Sequence, residues 1–138
     1  MDRKKAEALS NFIGCDIKEI KEGYDKNIFE ARKGEYWVLT DEEADELTRE
    51  YITDSLWAFN TDFILNHSKI DSNIRVEKAF QKMQSELCEN ANEIVKAVIT
   101  DIDEFIEDAV DAVGRGHFLS GYDGEENEEG EYFIYRTN

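Results

Sequence analysis

The chain has 138 residues, 41% of them apolar, with 8 Phe, 6 Tyr and 2 Trp, which is enough for one domain with a core and too aromatic for an acidic disordered tail. Its 33 acids and 16 bases leave a net charge of −17, which excludes direct binding to nucleic acid or anionic lipid through basic patches. No apolar stretch is long enough for a signal peptide or a membrane span, so the expected compartment is the cytoplasm.

The first element expected is a short helix over residues 2–13, with Ala6, Leu9, Phe12 and Ile13 on one face and Gly14 as its C-cap. Another helical turn can follow at 16–22. Two β-rich runs, Ile28–Ala31 and Glu35–Leu39, flank Arg32-Lys33-Gly34 and predict a hairpin over 27–39.

Thr40-Asp41-Glu42-Glu43 is a capping box, Thr at N-cap and Glu at N3. It opens a helix whose apolar positions 44, 47, 51, 52, 56 and 59 run to about Phe59. Asn60-Thr61-Asp62 then caps a short helix ending near Asn66.

Residues 73–113 hold the strongest periodicity. Val76, Phe80, Met83, Leu87, Ala91, Ile94, Val98, Ile102, Phe105 and Ala109 advance by threes and fours. The segment reads as one long helix or a helix pair turning near Asn90 and Asn92, where Asn competes for backbone hydrogen bonds. After Gly114 an acidic loop leads to a terminal strand at 132–136. The expected fold is a single α+β domain over 1–138, mainly helical. Its small three-stranded antiparallel sheet combines the hairpin with the C-terminal strand.

The charge is unevenly placed. Residues 37–62 carry eight acids and only Arg49 as a base; residues 101–131 carry twelve acids and only Arg115. The remainder is close to neutral. In the first zone Asp41, Glu42, Asp45, Glu46, Glu50 and Asp54 lie on the capped helix. In the second, Asp101, Glu104, Asp108 and Asp111 share a helical face, with Glu107 and Asp103 beside it. Carboxylates repeated at i+3 and i+4 repel one another, and an ordinary solvated face mixes both signs. These eleven residues (Asp103 aside) are the candidate partner-binding set, able to pair with Arg and Lys that normally hold phosphates.

Catalytic and metal chemistry find little support. Asp123-Gly124-Glu125-Glu126 begins an acidic loop, but an EF-hand register fails: its sixth position is Glu128 and its twelfth Ile134. His117, Ser120 and Asp123 are triad ingredients without a nucleophile elbow. Cys15 and Cys88 stand far apart, outside any C-x-x-C motif. No cofactor, metal or catalytic residue is assigned, and the chain is read as non-enzymatic.

Two segments carry a resemblance. Glu35-Tyr36-Trp37-Val38-Leu39-Thr40-Asp41-Glu42-Glu43 with Ser55-Leu56-Trp57-Ala58-Phe59 is one. Gly114-Arg115-Gly116-His117-Phe118-Leu119-Ser120 through Tyr122-Asp123-Gly124, closing on Tyr132-Phe133-Ile134-Tyr135-Arg136, is the other. Together they resemble small acidic proteins of bacteriophages and prophages. The resemblance implies a role inside a bacterial host. In charge and size the chain is similar to DNA-mimic anti-defence proteins, which implies an inhibitor of a basic, nucleic-acid-handling host protein. One alternative is a structural or accessory phage protein acting through homo-oligomerisation, as a homodimer for example; of Trp37, Trp57, Tyr36, Tyr51 and Phe59 most are expected in the core, and one or two left exposed can anchor a partner or a second copy. The other is an enzyme or metal-dependent protein using residues 117–131.

Overall fold

The computed structural model describes residues 1–138 and is α+β, as the hydrophobic pattern predicts. The elements run α1 (Arg3–Ile13), β1 (Lys21–Glu22), β2 (Ile28–Ala31), β3 (Gly34–Leu39), α2 (Asp41–Asp54) and α3 (Thr61–Asn66). They continue with α4 (Ile74–Leu87), α5 (Asn92–Val98), α6 (Ile102–Val113), α7 (Arg115–Leu119), β4 (Asn127–Glu129) and β5 (Tyr132–Arg136). Two compact units form: residues 1–48 with 113–138, and residues 49–112.

The first unit is built on a sheet of order β1-β2-β3-β5-β4, antiparallel throughout. The three strands expected from the sequence form its centre, with Trp37 opposite Tyr135 and Val38 opposite Ile134. Two short strands extend it at the edges. Both edges are charged, Lys21-Glu22 and Asn127-Glu128-Glu129, which discourages pairing with another chain. Strand alternation gives each face its own core. Tyr36, Val38, Tyr132 and Ile134 meet Ala6 and Leu9 of α1. Leu39 and Tyr135, with Trp37 and Phe133, meet Ala44 of α2 and Leu119 of α7.

Local signals explain most boundaries in this unit. Asp2 caps α1 by accepting from the Lys5 amide, and Gly14 closes it at φ 78°. The hairpin turn is two residues rather than three. Arg32 and Lys33 both take positive φ, 45° and 67°, and Gly34 begins β3. Gly34 is required there, because a Cβ would come within 2.7 Å of the Tyr36 ring. The predicted capping box forms: Thr40 N donates to Glu43 Oε1 at 2.9 Å, and Glu43 N donates to Thr40 Oγ1 at 3.2 Å. Glu43 also binds Lys5, whose side chain is only 5% exposed, at 2.6 Å.

The second unit is helical. Ile52, Leu56, Ile64, Leu65, Ala91, Val95, Phe105 and Ala109 are buried in it. Helix α2 stops at Asp54, short of the expected Phe59, and Leu56–Ala58 form a 3-10 turn. Asn60 then caps α3 as predicted. Side-chain amides hold this irregular backbone. Asn92 Nδ2 donates to the Thr53 carbonyl at 2.7 Å, and its Oδ1 accepts from Trp57 N. Gln84 Nε2 donates to the carbonyls of Trp57 and Phe59, both at 2.8 Å, while Oε1 accepts from Thr61 Oγ1 at 2.7 Å. Gln84→Ala leaves these groups without their buried partner. The expected cost is about 3 kcal/mol, read as a fall in the urea midpoint of Trp57 emission in a Trp37→Phe background.

The 73–113 segment is neither one helix nor a pair. Helix α4 ends where Cys88 adopts φ 50°, and a 3-10 turn over Cys88–Ala91 leads into α5. That break falls in the stretch the sequence marks as weakest. A second break, at 99–101, interrupts the unbroken apolar stripe. Ile99 is extended and bridges to Ser68, and Thr100 N donates to the His67 carbonyl at 2.8 Å. Asp101 then restarts the chain as the cap of α6, its Oδ1 accepting from Asp103 N and Glu104 N.

Candidate acidic surface

Helix α2 carries seven acids in its 14 residues, Asp41 to Asp54. At 1.5 Å per residue that is about one carboxylate per 3 Å, close to the 3.4 Å per charge of one DNA strand. Helix α6 carries five in 12 residues, or about one per 3.6 Å. The structure then divides these carboxylates into those held internally and those left open.

The single base of each acidic zone is an internal counterion. Arg115, whose side chain is 11% exposed, reaches Asp41 at 2.8 Å, Asp45 at 2.9 Å and Glu126 at 2.7 Å. Its guanidinium carbon lies 4.7 Å from the centre of the Phe133 ring. The Tyr135 hydroxyl donates to the same Glu126 carboxylate. Burial disfavours the charged form of Arg115, but the carboxylates outweigh it and raise its pKa. Burial, followed by Glu126, also raises that of Tyr135. Gly116 lets α7 seat Arg115 here, since a Cβ at that position would collide with the Gly124 carbonyl. Arg49 pairs with Asp103 at 2.6 Å.

Asp108 is also engaged. His67 Nε2 lies 2.7 Å from Asp108 Oδ2, and its Nδ1 lies 2.8 Å from the Phe63 carbonyl. Both ring nitrogens face acceptors, so the arrangement favours imidazolium. Burial works against that charge. The Phe63 carbonyl and Asp108, with Glu104 adding, outweigh it and hold the His67 pKa above its ordinary value. The ring packs against Phe63 and Phe105 at centroid distances of 4.7 and 5.1 Å. A raised folded-state pKa contributes stability that is full below the unfolded value of about 6.5 and lost as pH climbs through the folded value. The urea midpoint of the 49–112 unit is therefore expected to fall as pH rises above about 6.5, through the raised folded-state value of His67. His67→Gln should flatten that slope, and an unchanged slope would refute the assignment.

Of the eleven candidate residues, Asp41 and Asp45 thus belong to Arg115, Asp108 to His67, and Asp101 to the cap of α6. Asp101 precedes the helix instead of lying on its face. Glu42, Glu46, Glu50 and Asp54 remain as an exposed row at steps of four along α2, and none of them forms an ion pair. Glu104, Glu107 and Asp111 remain exposed on α6, likewise outside any ion pair. Charge counting in the sequence missed the roles of Arg115, Glu126 and His67. The usable signal was the lone base in each acidic zone: both Arg49 and Arg115 neutralise acids of their own unit.

Of the remaining sequence candidates, Ser120 and Asp123 meet each other, and His117 takes no part in their hydrogen bonds. Ser120 Oγ lies 2.8 Å from Asp123 Oδ1 and 2.6 Å from the Arg136 carbonyl, while His117 is exposed and meets the Phe118 ring. No group of three or more His, Cys, Asp and Glu side chains is placed to hold a metal ion. No helix is long and apolar enough to cross a membrane. Cys15 and Cys88 are free thiols.

No family model, curated protein or solved structure matches this chain.

Proposed function

We propose that this chain is a non-enzymatic acidic binding protein that occupies the phosphate-binding surface of a basic, nucleic-acid-handling protein. The observation that carries this reading is the row Glu42, Glu46, Glu50 and Asp54: exposed, evenly stepped, and left without a cation when the acids around it are paired. A row kept only for solubility would gain from interspersed bases, because i,i+4 carboxylates repel by about 0.2–0.5 kcal/mol per pair. A rigid helix presents the charges without further ordering cost, and the field draws a basic partner to it. The resemblance to small acidic phage proteins supplies the setting, a bacterial host protein blocked by competition with its nucleic acid.

The test is a pull-down from bacterial lysate with added duplex DNA. A nucleic-acid-binding protein should be retained at low salt, displaced by DNA, and released near 1 M salt, where the Debye length is about 3 Å. Retention of partners that DNA does not displace would refute competition.

A second reading has its own observation. Helix α4 is amphipathic, yet Gln84 is its only buried residue, while Ile74 and Leu87 are exposed. Self-association through that face predicts a concentration-dependent mass in sedimentation, insensitive to salt.

A further inference from the structure

A groove of about 540 Å³ runs between the 57–62 segment and α4, lined by residues that include Trp57, Asn60, Asp62, Ile74, Glu77 and Gln84. We propose that this groove is a second recognition point, which seats a short peptide segment of the basic partner carrying an Arg or Lys beside an apolar side chain. The proposal rests on the acidic-ligand reading above and names what that ligand recognises besides charge.

Three features carry it. The groove is preformed: the Gln84 amide fastens one wall to the other through the carbonyls of Trp57 and Phe59 and the hydroxyl of Thr61. With its polar atoms satisfied inside the protein, Gln84 presents no unmet demand that water would fill. The groove is open along its length, with room for a few side chains of an extended segment rather than an enclosed ligand. The lining is also of mixed chemistry suited to one class of occupant. Trp57 supplies an indole, and Ile74 is 65% exposed at the rim, a large apolar side chain left to solvent at the start of α4. Carboxylates Asp62 and Glu77 stand on opposite walls, against the single base Lys78, so the groove favours a cation. Indole and carboxylate together are the two groups that hold a guanidinium or ammonium best, one by its face and one by its charge. Ser72 Oγ donates to Glu77 Oε1 at 3.1 Å and orients it. A row of carboxylates alone would take any polycation. A groove requiring an apolar neighbour adds selectivity.

The experiment uses the full 15N-labelled chain and an acetylated Leu-Arg-Leu-Arg-Leu peptide amide, followed by amide and indole cross-peaks. Binding should shift the Trp57 indole and amides of 57–62 and 74–85, saturably. Ile74→Asp and Asp62→Lys, both at exposed positions, should each weaken it at least tenfold, and a Gly-Arg-Gly-Arg-Gly peptide should bind as weakly. Circular dichroism establishes that the variants fold. If the peptide shifts only α2 or α6 signals, or binds both variants as tightly as the parent, the groove is not a recognition point, although the acidic-ligand reading survives. No binding of this peptide at all also overturns the groove. Loss of peptide binding on Glu46/Glu50/Asp54→Lys, with the groove variants unaffected, would assign the whole interaction to α2.

Discussion

Arg115→Ala is expected to destabilise its unit by about 3 kcal/mol, a large effect for a single charged side chain. One guanidinium holds Asp41, Asp45 and Glu126 and lies over Phe133. Removing it leaves three carboxylates facing one another and a vacant place over the aromatic ring. Fully buried ion pairs lose about 3–5 kcal/mol when one partner goes. Asp41 and Asp45 are 69% and 68% exposed, so solvent screens part of their repulsion and the lower end applies. Arg115→Lys should recover less than half, because an ammonium cannot serve three carboxylates with a planar fork. Asp41→Asn and Asp45→Asn should each cost under about 1 kcal/mol. The measurement is urea unfolding followed by Trp37 emission in a Trp57→Phe background, since Trp37 packs in the same cluster as Phe133. An Arg115→Ala loss below about 1 kcal/mol would mean that the carboxylates relax into solvent at no cost.

Charge reversal along α2 should act on binding rather than on folding. Glu46/Glu50/Asp54→Lys is expected to lower affinity for the basic partner at least 100-fold at low salt, and by much less at high salt. Each reversal replaces an attraction with a repulsion, and three of them at about 1 kcal/mol or more give that factor. The fold should survive. None of the three forms an ion pair, and cations toward the C-terminal end of α2 favour the helix dipole. Asp41→Asn/Asp45→Asn is the informative control. These residues share the helix and the same sequence zone, yet their charge is already spent on Arg115. If that pair of changes weakens binding as much as the reversal does, total charge matters and the open row does not.

The contrast between those two variants marks how far the sequence reaches. Signals of short range were legible in it. The Thr40–Glu43 capping box, the Gly14 cap, the Asn60 cap and the central strands follow from a few neighbouring residues, because capping and alternation act over four residues or fewer. The break at 99–101 had a readable sign, Asp101 followed by Glu104, but the apolar stripe ran through it. What stops α5 is Ser68 and His67, some thirty residues away. The 127–129 strand was hidden for a related reason. Acidic residues have low β-propensity, and only pairing with β5 makes Asn127–Glu129 a strand.

The amino-acid sequence by itself determined an α+β fold, a −17 charge and the two zones into which that charge is gathered. It could not determine which carboxylates are available. Ion pairing depends on separations of a few ångströms between side chains up to 74 positions apart, as for Arg115 and Asp41, and periodicity carries no record of such meetings. Only the tertiary structure gave Asp41, Asp45, Asp101 and Asp108 partners within the chain and left Glu42, Glu46, Glu50 and Asp54 as an unpaired row.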